Sequence, residues 1–303
     1  MNLTPEKFAQ AETFIRGHGR ELEQRLFDFH FKGGTAEAVL TALKVYQNED
    51  GGFGHALEPD FRLPASSPMA TSVAFQVMDE VNAAADHPLV QSGIHYLLTT
   101  YQKEEGYWPK TFADVNDHPH APWWHVWTDT PPTEEEWPNP TIELIGVLYR
   151  YDTLVPADFL TQVTERAYQN IHHLAHIEDR YNVLCWLRAL AALPLLLRTP
   201  AEAKIRQTYT NWYPFSPDKL HELNLLMFAP TPDSLLGEMY GEELRPQLDT
   251  LIQSQSGDGS WSPAWTWGQY DEVWQVAHKD WQGHITLENL KILAAYNRLH
   301  ERT

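Results

Sequence analysis

A seven-residue stretch is written three times in this chain: Gln47-Asn48-Glu49-Asp50-Gly51-Gly52-Phe53, Gln102-Lys103-Glu104-Glu105-Gly106-Tyr107-Trp108 and Gln255-Ser256-Gly257-Asp258-Gly259-Ser260-Trp261. The shared form is Gln-x-x-(Asp/Glu)-Gly-x-(Phe/Trp). Each copy closes a segment with helical periodicity and is followed, after a loop, by a helical segment opening near Thr71, Thr141 or Thr286. A chain that repeats a helix terminator in this way is built from helical hairpins.

Taken in order, Thr4 to Arg16 and Arg20 to His30 read as a first hairpin, with Thr4-Pro5-Glu6 as cap, first-turn proline and first-turn acid. Further helices are expected from Thr35 to Tyr46, Thr71 to Val81, His87 to Tyr101 and Thr141 to Tyr151. Beyond them lie Pro156 to His176, Tyr181 to Leu197, Pro200 to Thr210, Pro217 to Phe228, Glu242 to Ser254 and Thr286 to Leu299. Gln207 to Tyr213 keeps the glutamine and the final aromatic with Asn211 in place of glycine, a degraded fourth copy, since Asn tolerates a left-handed turn. A weak turn near Asp179 fills the gap between the second and third full copies. The expectation is an all-α fold over residues 1–303 as one domain, about six hairpins of roughly fifty residues. Both terminal helices are as amphipathic as the middle ones, and an open solenoid would carry polar caps. A closed ring, an α/α toroid or (α/α)6 barrel, is therefore expected.

The charge narrows the partners. With 41 acidic against 22 basic side chains, a net charge of −19 repels phosphate backbones and anionic membrane faces, which argues against nucleic acid. A single cysteine, Cys185, excludes an intrachain disulfide and a multi-thiolate zinc site, and its apolar helical setting reads as an inert buried thiol. Residues Met1 to Arg16 lack the apolar core of a signal peptide, and the run Val183 to Leu197 is short for a membrane span and carries Arg188 and Pro194. A soluble, cytoplasmic protein is the expectation, with 12 Trp, 13 Tyr and 12 Phe giving enough aromatic surface for a core and a pocket.

The repeats resemble the Gln-Trp repeat of squalene and oxidosqualene cyclases, and Asp50-Gly51-Gly52-Phe53-Gly54 is similar to the Gly-Gly-Phe repeats of protein prenyltransferase β subunits. The resemblance implies an α/α toroid in which Gln47, Gln102, Gln255, Phe53, Trp108 and Trp261 are scaffold residues, the glutamine capping a helix end and the aromatic packing on it. It does not extend to the chemistry of those families. The chain has no Asp-x-Asp-Asp acid, Asp114-Val115-Asn116-Asp117 not being one, and no Asp-Asp-x-x-Asp cluster. A zinc site of the prenyltransferase kind is not matched either, because Cys185 lies far from Asp60.

Three loops carry the candidate chemistry. The first holds His55, Glu58 and Asp60 between glycine and proline brackets, where carboxylate and imidazole suit acid–base work or, alternatively, helix capping. The second, Pro109 to Pro140, holds Trp123, Trp124, Trp127 and Trp137 with Asp114, Asp117, His118, His120, His125 and Asp129. Trp123, Trp124 and Trp127 are candidate ligand contacts, as is His55 of the first loop, and His118, His120 and His125 are weak candidate metal ligands beside the plainer reading of a solvated loop. The third, Ser262 to His284, packs Trp265, Trp267, Tyr270, Trp274 and Trp281 around Asp271, Glu272, Asp280 and His284. Aromatic faces beside carboxylates suit an isoprenoid-like apolar ligand or a sugar, and a lid packed by its own aromatics is the structural alternative. The candidate catalytic set is Glu58, Asp60, Asp271, Glu272, Asp280 and His284, and no cofactor is implied. Three functions stay open: an apolar small-molecule site with acid–base chemistry, a carbohydrate-active enzyme, and a noncatalytic binding or scaffold protein.

Overall fold

The computed structural model describes residues 1–128, 130–177, 179–211 and 225–300. Among these the regular structure is helical, and β-pairing is limited to isolated bridges. Asp129, Trp212, Tyr213 and most of the helix expected at 217–228 lie outside the described residues. The chain divides into two compact units, Met1–Ala42 with Phe215–Thr303, and Leu43–Pro214.

In the first unit, α1 (Pro5–His18) and α2 (Glu21–Phe31) form the expected hairpin. Thr4 caps α1 by accepting from the Lys7 amide, with Pro5 at the first helical position. Helix α3 (Ala36–Leu43) follows, and after the masked segment come α10 (Leu235–Tyr240), α11 (Arg245–Gln253) and α12 (Asp271–Ala295). Phe14, Ile15, Leu22, Leu26, Phe27, Leu287, Leu290 and Leu293 are buried. The residues flanking the first and last helices pair as well, the Leu3 amide donating to Arg298 O at 2.7 Å and the His300 amide to Leu3 O at 3.2 Å.

Helix α12 corrects the reading of the third loop. It begins at Asp271, fifteen residues before Thr286, because Asp271 to Ile285 carries no proline and its one glycine does not break it. Gly283 lies inside the helix at the point of closest approach to the α1–α2 turn, where a Cβ would stand 3.0 Å from the Gly19 Cα. The glycine serves packing, not termination. The helix expected at 242–254 starts later, after a 3-10 turn at Gly241–Leu244, and α10 was not legible at all.

The second unit contains α4 (Pro68–Glu80), α5 (Pro88–Thr100), α6 (Pro138–Arg150), α7 (Ala157–His173), α8 (Arg180–Ala189) and α9 (Leu195–Asn211). Helix α6 packs against both α4 and α8, and α7 against α9. Asp179 caps α8 by accepting from the amides of Tyr181 and Asn182, which places the weak turn where the sequence indicated. The helix expected from Tyr181 to Leu197 is two: it stops at Ala189, and Pro194 then opens α9, its carbonyl accepting from the Leu197 and Arg198 amides. Pro200, read as a helix start, sits inside α9.

The repeats explain why the helices meet as they do. In the second unit the Gly51 φ of 87° and the Gly106 φ of 74° turn the chain back on itself, so that Gln47 bridges to Phe53 and the Gln102 amide donates to Tyr107 O at 2.9 Å. The aromatic is then driven into the core, with Phe53 and Trp108 almost wholly buried. Its backbone amide is satisfied by the threonine of the next helix: Phe53 donates to Thr71 Oγ1 at 3.1 Å and Trp108 to Thr141 Oγ1 at 3.2 Å. Gln47 Nε2 donates to Gly51 O, to Ser92 Oγ at 2.8 Å and to Leu89 O, tying the turn to the start of α5.

The third copy builds the same device in the first unit. Trp261 donates its amide to Thr286 Oγ1 at 3.0 Å and its indole N–H to Leu251 O at 2.8 Å. Gln255 Nε2 donates to Gly259 O at 2.9 Å and to Lys7 O at 3.0 Å, in the first turn of α1. The last copy docks on the first helix as the first copy docks on α5.

Candidate functional site

The first two candidate loops are joined in the second unit. The Ala121 amide donates to Asp60 O at 2.7 Å, the Arg62 amide to Pro119 O at 2.8 Å, and Phe61 bridges to His120. Residues 58–62 and 119–121 thus run as a short antiparallel pair, bringing an acidic segment beside a histidine and tryptophan segment. Glu58 and Asp60 are both buried, at 8% and 4% exposure, and Glu58 Oε2 accepts from the Asp60 amide at 2.6 Å.

His55 stands apart from them. It and Ala56 both take positive φ, 54° and 59°, a conformation that side chains other than glycine adopt at a cost. This turns the exposed His55 ring outward to Asn48 Oδ1, 2.8 Å away. The histidine on the segment paired with the acidic one is His120.

His120 is buried, with Nδ1 2.6 Å from the His118 carbonyl and Nε2 3.2 Å from Nδ1 of His125, the two rings lying nearly parallel. The carbonyl accepts only, so the proton of His120 resides on Nδ1 and its Nε2 accepts from the Nδ1–H of His125. The loop that carries the pair is closed by Asn116, which exchanges two hydrogen bonds with the Val126 backbone at 2.8 and 2.9 Å. The rings bond one another, and among the described residues no group of three His, Cys, Asp or Glu side chains is placed to hold a metal ion.

The tryptophans of this loop divide by role. Trp137 is buried, donates to Gly106 O at 2.7 Å and lies beneath the Arg166 guanidinium, which Glu134 holds by two bonds. Burial opposes ionisation of Glu134, yet the hydrogen bonds from Asn170 and Arg166 prevail and hold its carboxyl below the usual range. Trp124 packs edge-on against Phe61 with ring centres 5.0 Å apart. Trp123 and Trp127 are open to solvent, at 53% and 83% exposure, and Trp127 has the His125 ring 4.2 Å from its own.

In the first unit the third candidate stretch is a loop folded onto a helix. Trp265 meets Trp281 at 5.1 Å and Trp267 meets Trp274 at 5.5 Å, and His278 and His284 extend the row along α12. Burial lowers the pKa of both histidines, Glu288 and Glu23 working against it at His284, so both are neutral at pH 7. Asp271 and Glu272 are exposed in the first turn of α12, where the helix dipole favours them. Asp280 follows nine residues after Asp271, a rise of about 13.5 Å and a half turn of rotation. That separation exceeds the 5 to 9.5 Å or so of a paired acid and base. The structure therefore does not assemble Asp271 or Glu272 with Asp280 as a catalytic pair.

One polar cluster was missed by the sequence reading. Glu143, buried on α6, accepts from Gln76 of α4 at 2.5 Å and from Arg188 of α8 at 3.2 Å. Burial, then the neighbouring Glu143, pushes the Cys185 thiol well up. A glutamate set between Ile142 and Leu144 in an apolar helix was the available signal. No described helix is long and apolar enough to cross a membrane. The chain matches no family model, no curated protein and no solved structure.

Proposed function

We propose that the chain is an α/α toroid whose paired loops, 55–62 and 113–127, bind a carbohydrate and act on it by acid–base chemistry. The observation that carries this reading is the placing of two buried carboxylates, Glu58 and Asp60, beside a segment with two hydrogen-bonded imidazoles, His120 and His125, and two exposed indoles, Trp123 and Trp127. Exposed indole faces stack on the apolar faces of sugar rings, and carboxylates with imidazole supply proton transfer. Closure of the ring is supported by Gln255, which reaches α1 as Gln47 reaches α5, so that the first hairpin takes the place after the last repeat.

The test is to incubate the protein with cellotetraose, maltotetraose and chitotetraose and to follow binding and reducing-end release. Trp127→Ala weakens binding, and Glu58→Gln and Asp60→Asn abolish release. Absence of binding to all three, or release unaffected by Glu58→Gln and Asp60→Asn, overturns the proposal.

A second reading rests on the first unit, where the half-buried indoles of Trp265, Trp274 and Trp281 offer apolar faces suited to an isoprenoid-like ligand. Quenching of tryptophan fluorescence by farnesol, lost in Trp281→Ala, is its signature.

A further inference from the structure

Three indole N–H groups of the scaffold are satisfied by backbone carbonyls. Trp108 donates to Leu97 O, Trp137 to Gly106 O and Trp261 to Leu251 O, all at 2.7 to 2.8 Å. Trp124 departs from this. Its Nε1 is buried yet has no acceptor among the described residues, although its ring is fixed edge-on to Phe61. A buried donor without an acceptor costs free energy, and an indole nitrogen donates only, so what completes it must be an acceptor.

We infer that the Trp124 indole N–H is a recognition donor of the paired-loop site, selecting an uncharged ring compound that presents an acceptor oxygen, such as a pyranose hydroxyl or ring oxygen. The inference rests on the proposal that these loops bind a ligand, and it adds which atom of the ligand is read. Charge and composition restrict the acceptor. The chain carries a charge of −19, so an anionic acceptor is repelled. A cation has no lone pair to offer. A neutral oxygen remains, and Trp123 and Trp127 on either side of Trp124 in sequence give flat apolar faces for the ring that bears it.

Trp186 provides the internal control. Its N–H is also without an acceptor, but the residue is fully buried in α8, so a ligand has no access to it. The experiment is a nitrogen-15 correlation spectrum of the indole N–H groups in the full chain, with the Trp124 and Trp186 signals assigned as those lost in Trp124→Phe and Trp186→Phe. Two probes are titrated: 1,4-dioxane, a cyclic diether with acceptors and no donors, and methyl β-glucopyranoside.

Dioxane is expected to move the Trp124 signal downfield and saturably while that of Trp186 stays. The glucoside is expected to do the same, with Trp124→Phe weakening its binding about 2- to 12-fold, the worth of one neutral hydrogen bond. A Trp124 signal unmoved by dioxane overturns the inference. Movement with dioxane but not with the glucoside upholds the donor and overturns the carbohydrate reading of the site.

Discussion

Alanine at Gly259, Gly268 and Gly257 separates two reasons a repeat needs glycine, and all three positions lie in one unit. Gly257 has ordinary φ and no atom within 4 Å of where a Cβ would stand. Gly257→Ala should therefore leave stability unchanged or raise it by about 0.4–1 kcal/mol, through a less flexible unfolded chain. Gly268 has φ 65° but open space around it, so its alanine variant isolates backbone strain, a loss of about 1–2 kcal/mol. Gly259 has φ 90°, and a Cβ there would stand 2.3 Å from the Gln10 carbonyl carbon and 2.5 Å from its oxygen, both in the backbone of α1. Strain and forced displacement of a helix add to about 2–5 kcal/mol. Urea unfolding midpoints, compared at constant slope, read the series directly. If Gly259→Ala loses no more than Gly268→Ala, the last repeat does not seat tightly on α1, and the argument that the first hairpin follows the last repeat fails with it.

Thr141→Val should cost about 1–3 kcal/mol in urea unfolding by stranding the buried Trp108 amide, and Thr141→Ser less, so a loss in Thr141→Ser as large as that in Thr141→Val would show that the methyl matters as much as the hydroxyl and refute the reasoning. His284 is held neutral by burial against Glu288 and Glu23, so the unfolded chain binds its proton first. Stability should then fall as pH drops below the unfolded value of about 6.5, and His284→Gln should flatten that fall. With its pKa raised by burial, the Cys185 thiol should react with a disulfide reagent only as fast as the chain opens, and prompt labelling of the native protein would refute this.

The legible part of the fold was its punctuation. Gln47, Gly51 and Phe53 form a device whose backbone geometry fixes residue type at each position, and the copies ending at Trp108 and Trp261 repeat its turn and its threonine contact, which is why the repeats and the partner threonines stood out. Helix limits failed where tertiary packing decided the outcome. Gly283 is a contact with Gly19 and not a stop, and Pro200 is carried inside α9. For the site, the residue types in loops one and two were legible but their pairing was not. Nothing in the sequence spacing reveals that the Ala121 amide meets the Asp60 carbonyl, or that His55 turns to Asn48 while His120 lies on the segment paired with the acidic one.

The distribution of satisfied groups argues where the chemistry sits. Each repeated residue is spent on the scaffold: the glutamine on a carbonyl, the glycine on a left-handed turn, the aromatic on the core and its amide on a threonine. A residue engaged in this way has no free face for a ligand, so repetition here signals structure. What the loops of residues 55–62 and 113–127 add is not repeated, and it includes two buried carboxylates, a coupled imidazole pair, an indole N–H without an acceptor and two exposed indoles. Burying polar groups on a loop works against stability unless something is gained by holding them there. A pure scaffold would lose little by replacing Trp127, 83% exposed, with a smaller side chain, whereas a ligand site requires an open aromatic face. That contrast makes Trp127→Ala informative: unchanged unfolding together with lost ligand binding follows only if the paired loops are a binding site.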